Sequence, residues 1–173
     1  EWKKQHDTDN KLTIIDTGAA SGKLAASAIA TARYAACAQT PGQVIEFARK
    51  AVEKSKEYIF LEELKYLAAG GRMSKTGAFF GDMLHVKPVI TPTANGAEKA
   101  GIVRNRKAQL DFAKNGLIRN LKDGPDSEVL IEYSDNRQWV KDLAEPEIRS
   151  LFPQSAIFLQ PLSLTSGVHI GPG

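Results

Sequence analysis

The chain has 173 residues with a net charge of +3, and 42% of them are hydrophobic, as in an ordinary folded globular protein. Its Lys and Arg residues interleave with Asp and Glu, which disfavours a nucleic-acid partner. No apolar run reaches the roughly 18–20 residues that span a bilayer, and the amino terminus has no secretory apolar segment. We therefore expect a cytoplasmic protein without a membrane span.

The first third of the chain predicts one strand and two helices. The apolar residues 12–15 are typical of a buried parallel strand that exits into a loop. Residues 21–38 form an alanine-rich helical pattern in which Ser21 is a plausible N-cap, and Cys37 in this pattern is predicted to be a small buried core residue. Thr40-Pro41 then indicates the start of a second helix that runs to about residue 56.

The rest of the chain alternates short strands and helices. The pattern predicts strands at residues 58–61, 86–91, 97–104, 129–133 and 156–159, and helices at 62–69, 74–83, 106–121 and 138–152. Pro88 requires an edge strand or a nitrogen turned away from its neighbour, and Pro146 should interrupt its helix near residue 144. Asn95-Gly96 indicates a hairpin turn, and residues 163–173 are predicted to be a glycine-rich loop.

This order of elements predicts the α/β fold class. Residues 1–57 are interpreted as the remnant of a doubly wound parallel domain. Residues 58–173 are interpreted as an α/β domain with a mixed, largely antiparallel sheet. Because the chain starts without Met and ends at Gly-Pro-Gly, we expect it to be part of a longer protein.

Three basic side chains stand out as candidates for binding an anion. Arg72 follows the Gly70-Gly71 pair that should end a helix, Arg104 ends the return strand of the hairpin, and His169 lies in a glycine-rich segment. A guanidinium can hold a carboxylate or phosphate in one orientation, although Arg72 could equally well satisfy the last carbonyls of its helix or lie in water. With no partner nucleophile, this set suits anion binding better than catalysis.

The sequence lacks the local signatures of several common sites. The three histidines share no metal-ligand spacing with one another or with Cys37, so no metal is expected. Glycine-rich dinucleotide and phosphate-loop motifs and the Gly-x-Ser-x-Gly motif of hydrolases are absent. We therefore predict no catalytic residues and no cofactor.

Four ordered motifs resemble those of the DegV family of bacterial fatty-acid-binding proteins. They are Tyr-Leu-Ala-Ala-Gly-Gly-Arg-Met-Ser-Lys at 66–75, Leu-His-Val-Lys-Pro-Val-Ile at 84–90, Gly-Ile-Val-Arg-Asn-Arg-Lys-Ala at 101–108 and Gly-Val-His-Ile-Gly-Pro-Gly at 167–173. Residues 14–17 with Ser21 and the alanine-rich helix resemble the preceding stretch, where serine more usually stands at position 17. The resemblance thus extends from about residue 12 to the end of the chain.

The resemblance implies a two-domain protein that encloses one long-chain fatty acid, such as palmitate, and presents it to a fatty acid kinase. In the family, the positions of Arg72, Arg104 and His169 act around the carboxyl end of the acid, and Ser21 and Thr17 join them here as expected fatty-acid-binding residues. From the same resemblance, we expect the family's amino-terminal segment, which carries direct carboxylate ligands, to lie outside this sequence.

Two other functions stay open at this point. The chain could be a regulatory or interaction domain of a longer, dihydroxyacetone-kinase-like protein that binds no lipid. It could also be an enzyme in which His169 is a general base and the two arginines bind an anionic substrate. Retention or loss of bound acyl chains separates the first alternative from the carrier, and turnover by a His169 variant tests the second.

Overall fold

A computed structural model describes residues 1–72, 87–93 and 96–173. In chain order its elements are α1 (Trp2–His6), α2 (Ser21–Ala35), α3 (Pro41–Lys54), β1 (Ile59–Phe60), α4 (Lys65–Ala69), β2 (Lys87–Thr93), β3 (Gly96–Val103), α5 (Arg106–Asn120), β4 (Glu128–Tyr133), α6 (Arg137–Trp139), a π-helix (Val140–Ala144), α7 (Glu145–Leu151), β5 (Ala156–Pro161) and α8 (Leu164–Ile170). The predicted helix at 74–83 and Asn95 of the predicted turn lie outside the described residues.

The strands form two sheets, one antiparallel and one parallel. The first has the order β1-β2-β3 with antiparallel pairing throughout, and the second consists of the parallel pair β4-β5. The α/β class, with antiparallel and parallel strands in the second part of the chain, is confirmed. The domain boundary between residues 57 and 58 stays a prediction.

Strand β2 lies in the centre of its sheet despite Pro88. The Leu61 N–H donates to the Pro88 carbonyl over 3.0 Å, just beyond the end of β1. Pro88 has no N–H to return that bond, so the ladder between β1 and β2 ends there. The very short β1 is what makes a proline tolerable in a central strand.

Helices α2 and α3 pack against each other, and α2 also packs on β4. Thr40 and Gln43 form a reciprocal capping box at the start of α3, with Pro41 in its first turn, as the sequence indicates. The rings of Tyr34 and Phe47 stack between the two helices with centroids 4.2 Å apart. This stacking holds α2 and α3 in a fixed position relative to each other.

Among the described residues, buried apolar side chains form three clusters around the two sheets. The cluster below α4 and β2 has Leu61, Leu67, Ile90 and Ala97 at its centre. The other two flank the parallel pair and contain Val129, Ile148, Phe152 and Ile157 in one and Leu110, Val140 and Ala144 in the other. The first cluster supports α4, which precedes Arg72, and α8, which contains His169.

Pro146 restarts a helix where the sequence predicts an interruption. The π-helix ends at Ala144, and α7 begins at Glu145 with the proline in its first turn. A proline is tolerated at that position because the first N–H groups of a helix have no intrahelical acceptor. A new helix, α7, therefore begins directly after the π-helix, with Pro146 in its first turn.

The predicted strand at residues 12–15 is wrong. These residues form no regular element, and Ile14 is 71% exposed. The backbone N–H of Leu12 donates to the Asp7 carboxylate over 2.9 Å instead of joining a sheet. An apolar run becomes a strand only beside another strand, and among the described residues none pairs with this segment.

The structure corrects three further predictions made from the sequence. Ser21 is the first residue of α2 rather than its N-cap, which is Ala20, and the serine hydroxyl donates to Glu132. Cys37 is exposed, since α2 ends before it, at Ala35. Residues 163–173 are not a loop throughout, because Ser163 caps the helix α8 by accepting the Ser166 N–H.

Candidate functional site

Helix α4 ends in a tight backbone turn at the glycine pair. Gly71 has φ +66°, and its N–H donates to the Ala68 carbonyl over 3.1 Å. The Arg72 N–H donates to the Leu67 carbonyl over 3.2 Å, which completes a Schellman motif. Glycine suits this position because a side chain disfavours the left-handed conformation. The turn ends α4 and places Arg72 directly after it.

The Arg72 side chain folds back onto this turn. Its Nη1 donates to the Gly70 carbonyl over 2.9 Å, while the residue as a whole remains exposed. The sequence left open that Arg72 satisfies a carbonyl at the end of its helix, and the structure contains this contact. A guanidinium has five N–H donors, so this single bond leaves donor capacity for an anion.

His169 lies directly against the same glycine. A Cβ placed on Gly70 would overlap His169 Nδ1 and would lie 3.1 Å from its Cε1. The imidazole is half-buried, and its buried Nδ1 has no hydrogen-bond partner among the described residues. Arg72 and His169, which are distant in sequence, thus meet at Gly70.

The packing of α8 on α4 holds the imidazole in place. Leu162 N–H donates to the Tyr133 carbonyl over 2.8 Å, so α8 starts directly beyond the paired ends of β4 and β5. At its other end, Gly171 has φ +79° and lies so close to the Tyr66 ring that a Cβ could not fit. Both ends of α8 are therefore fixed by residues of neighbouring elements.

Arg104 lies at the other end of β3 from the glycine turn. The Arg72 carbonyl accepts the Ala97 N–H at the start of β3 over 3.2 Å. Arg104 follows the end of that strand and is exposed. A strand rises about 3.3 Å per residue, so the Cα atoms of Ala97 and Arg104 are roughly 20 Å apart. The described contacts therefore bring Arg72 and His169 together but do not bring Arg104 to them.

Basic and acidic side chains meet close to Arg104. Glu62 forms an ion pair with Lys87 and a second one with Arg106, whose Nη2 lies 3.0 Å from the Glu62 carboxylate. The Arg106 guanidinium also lies over the Trp139 ring, 5.1 Å from its centroid. Arg106 is thus held within the protein by Glu62 and Trp139, whereas Arg104 extends into solvent.

Ser21 is the first residue of α2, and Thr17 lies four residues before it. The Ser21 hydroxyl donates to Glu132 Oε2 over 3.0 Å, and Thr17 Oγ1 accepts the Ala19 N–H over 3.2 Å. Glu132 lies near the carboxyl end of β4. Just beyond this end, the Gly173 N–H donates to Asp135 over 2.8 Å. Ligands of α/β proteins commonly bind at the carboxyl ends of parallel strands.

A pair of glutamates that the sequence analysis did not single out lies beside Ser21. A Cβ on Gly22 would be 2.8 Å from Glu132 Oε2 and 3.4 Å from Glu57 Oε1, so both carboxylates face this glycine. Burial, with a smaller contribution from the negative charge of Glu132, raises the pKa of Glu57 to about 7. Two glutamates flank the apolar residues 129–131 in β4, and Glu132 is one of them, but no local pattern marks Glu57.

Within the described ranges, no group of three or more His, Cys, Asp and Glu side chains is arranged to hold a metal ion. In that same part of the chain, no helix is long and apolar enough to cross a membrane. The groups that converge at Gly70 are an imidazole and a guanidinium. Such groups can hold an anion by hydrogen bonds and charge.

Solved structures with the same fold include two proteins that bind fatty acids. The first is described as fatty acid binding of a DegV family protein from Thermus thermophilus, with a TM-score of 0.81, 22% identity, and coverage of 98% of this chain and 60% of that one. The second is the fatty acid kinase (Fak) B3 protein of Streptococcus pneumoniae loaded with linoleic acid, with a TM-score of 0.81, 21% identity, and coverage of 99% and 60%.

Sequence comparison agrees with this fold. A DegV domain-containing protein of Clostridium perfringens is 28% identical over 173 residues, which cover 95% of this chain and 57% of the relative. The chain therefore spans little more than half the length of that relative. The family model described as "Uncharacterised protein, DegV family" matches residues 2–173. Because this match covers almost the whole sequence, the chain belongs to the DegV family.

Proposed function

We propose that the protein containing this chain encloses a long-chain fatty acid such as palmitate and presents its carboxylate to a fatty acid kinase. The observation that carries the proposal is the convergence of His169 and Arg72 at Gly70, with His169 Nδ1 buried and without a hydrogen-bond partner among the described residues. A buried polar atom without a partner is costly unless a ligand or water satisfies it. The fatty acids in the structural relatives indicate which ligand to test first.

A fatty acid can supply ample binding free energy in such a site. Each buried methylene contributes about 0.8 kcal/mol, so a palmitoyl chain contributes on the order of 10 kcal/mol before ordering costs. The carboxylate loses its hydration and requires donors in return. In this proposal, Arg72 and His169 supply part of that set.

The remaining proposed ligand-binding residues are Arg104, Ser21 and Thr17. Arg104 is exposed. It would contact the carboxyl group of the fatty acid, or the kinase, only when a partner or another part of the protein covers this surface. Ser21 is the first residue of α2 and already donates to Glu132, and Thr17 lies four residues before it. They would contribute through the position of this helix more than through direct contact with the ligand.

We assign no catalytic residue and no cofactor to the protein. The kinase would carry out the phosphorylation, and this chain would hold the acyl group with its carboxylate accessible. The fatty acid kinase (Fak) relationship of the Streptococcus pneumoniae structure supports this choice of partner. A cytoplasmic location stays a prediction from the sequence.

Lipid extraction of the intact, purified protein followed by mass spectrometry tests the proposal. We expect a stoichiometric long-chain fatty acid, and added palmitate should raise the thermal midpoint of stripped protein. The variant His169→Ala should reduce the palmitate-induced shift, while the matched control His6→Ala, at an exposed position, should retain it. Absence of any acyl chain and of any thermal shift would favour the regulatory or interaction domain instead.

A further inference from the structure

The two ends of helix α2 are attached to β4 by different kinds of contact. Near the carboxyl end of the helix, Arg33 Nη1 lies 2.6 Å from Glu128 Oε1 in an ion pair. At the amino end, the Ser21 hydroxyl donates to Glu132 Oε2 over 3.0 Å, and Glu57 approaches Gly22 on the same side as Glu132. The first attachment joins opposite charges, whereas the second brings two carboxylates together.

Glu57 is poorly compensated as an anion in this position. Its Oε2 is buried without a hydrogen-bond partner among the described residues. The groups that face it are the backbone N–H and the ammonium of Lys23 on α2, which favour its charged form, and the carboxylate of Glu132 on β4, which opposes it. Gln160 on β5 is neutral and donates to Glu132 Oε1 over 2.9 Å.

Glu132 is better satisfied than its neighbour. It accepts one hydrogen bond from Ser21 and one from Gln160, so each of its carboxylate oxygens has a donor. A carboxylate with two donors keeps its charge more readily than one with an unpartnered buried oxygen. The proton of the pair therefore belongs on Glu57.

We infer that Glu57 is the protonated member of the carboxylate pair at Gly22, and that its ionisation weakens the attachment of the first turn of α2 to β4. This junction is then a pH-sensitive contact between the helical pair and the parallel sheet. The inference rests on the polar contacts at Gly22 and does not depend on the proposed lipid ligand.

The direction of the pH effect follows from proton binding. The pKa of Glu57 is raised from 4.5 to about 7 in the folded state, so between these values the folded chain binds more protons than the unfolded chain. This contribution to stability is fully present below pH 4.5 and is lost as the pH rises through about 7. A carboxylate in a favourable ion pair would show the opposite trend.

The test compares stability and titration in the intact protein, without added lipid. Thermal midpoints are measured from pH 5.5 to 8.5 for the wild type, Glu57→Gln and Glu132→Gln, with Glu53→Gln as the control at an exposed position. Relative to Glu57→Gln, the wild type should lose on the order of 5 °C across this range, because Gln is neutral at every pH. Glu132→Gln should flatten the profile only in part, because burial is the larger cause of the raised Glu57 pKa, and Glu53→Gln should follow the wild type.

Carboxyl carbon chemical shifts of the wild type give a readout that does not depend on a stable variant. We expect the Glu57 signal to titrate near neutral pH. A Glu57 carboxyl that titrates below pH 5 would overturn the inference. Parallel thermal profiles for the wild type and Glu57→Gln would also overturn it.

Discussion

Alanine substitutions at the two adjacent glycines should have different consequences for the candidate site. In Gly70→Ala, the new Cβ would overlap His169 Nδ1, so the imidazole must move away from the end of α4. In Gly71→Ala, the Cβ meets nothing within 4 Å, but the residue has φ +66°. One variant therefore displaces a candidate ligand-binding group, and the other strains only the backbone.

The expected losses of stability are similar in size. Overpacking at Gly70 costs about 1–3 kcal/mol, offset by roughly 0.5–1 kcal/mol because alanine is the better helix former. The left-handed conformation at Gly71 costs an alanine about 1–2 kcal/mol. Both variants should therefore unfold about 1–2 kcal/mol more easily than the wild type.

Their ligand binding should differ. We expect Gly70→Ala to bind palmitate at least about 10-fold more weakly, the equivalent of one lost hydrogen bond to a charged group, while Gly71→Ala retains most of its affinity. The assay is displacement of a fluorescent fatty acid from the intact protein, with urea unfolding of the same samples. Gly167→Ala on α8, where a Cβ also meets nothing, is the control for a harmless substitution. Equal affinity losses at Gly70 and Gly71 would refute this account of His169.

Three other substitutions test contacts elsewhere in the fold. Thr40→Ala removes the capping box of α3 and should cost about 1 kcal/mol in urea unfolding. Arg33→Ala leaves the largely buried Glu128 without its cation and should cost about 1–3 kcal/mol, most of which the added Glu128→Ala should restore. Gly101→Ala places a Cβ 2.5 Å from the Phe112 ring and should lower the thermal midpoint by several degrees, since overpacking costs about 1–3 kcal/mol.

Patterns that depend on neighbouring residues were predicted well. Thr40-Pro41 starts α3, and the glycine pair ends α4 with Gly71 in the left-handed conformation. Pro146 lies in the first turn of α7, close to the predicted interruption. Caps, prolines and glycines act on backbone groups within one turn, so a short stretch of sequence contains the information that they require.

Features that depend on distant residues were predicted poorly. The apolar residues 12–15 are not a strand, because no described strand lies beside them. Ser21 donates to Glu132 instead of capping its own helix, and no local pattern could identify that acceptor. The same limitation concealed Glu57, whose environment is formed by α2 and β4 rather than by its own neighbours.

The sequence by itself determined the α/β class, most helix boundaries and the candidate residues Arg72 and His169. Only the tertiary structure decided that these two both contact Gly70, that Arg104 lies at the far end of β3, and that Glu57 and Glu132 both approach Gly22. The physical reason is the range of the interactions. Helix ends are set by hydrogen bonds over a few residues, whereas a binding site and a shifted pKa depend on which distant side chains share a desolvated space.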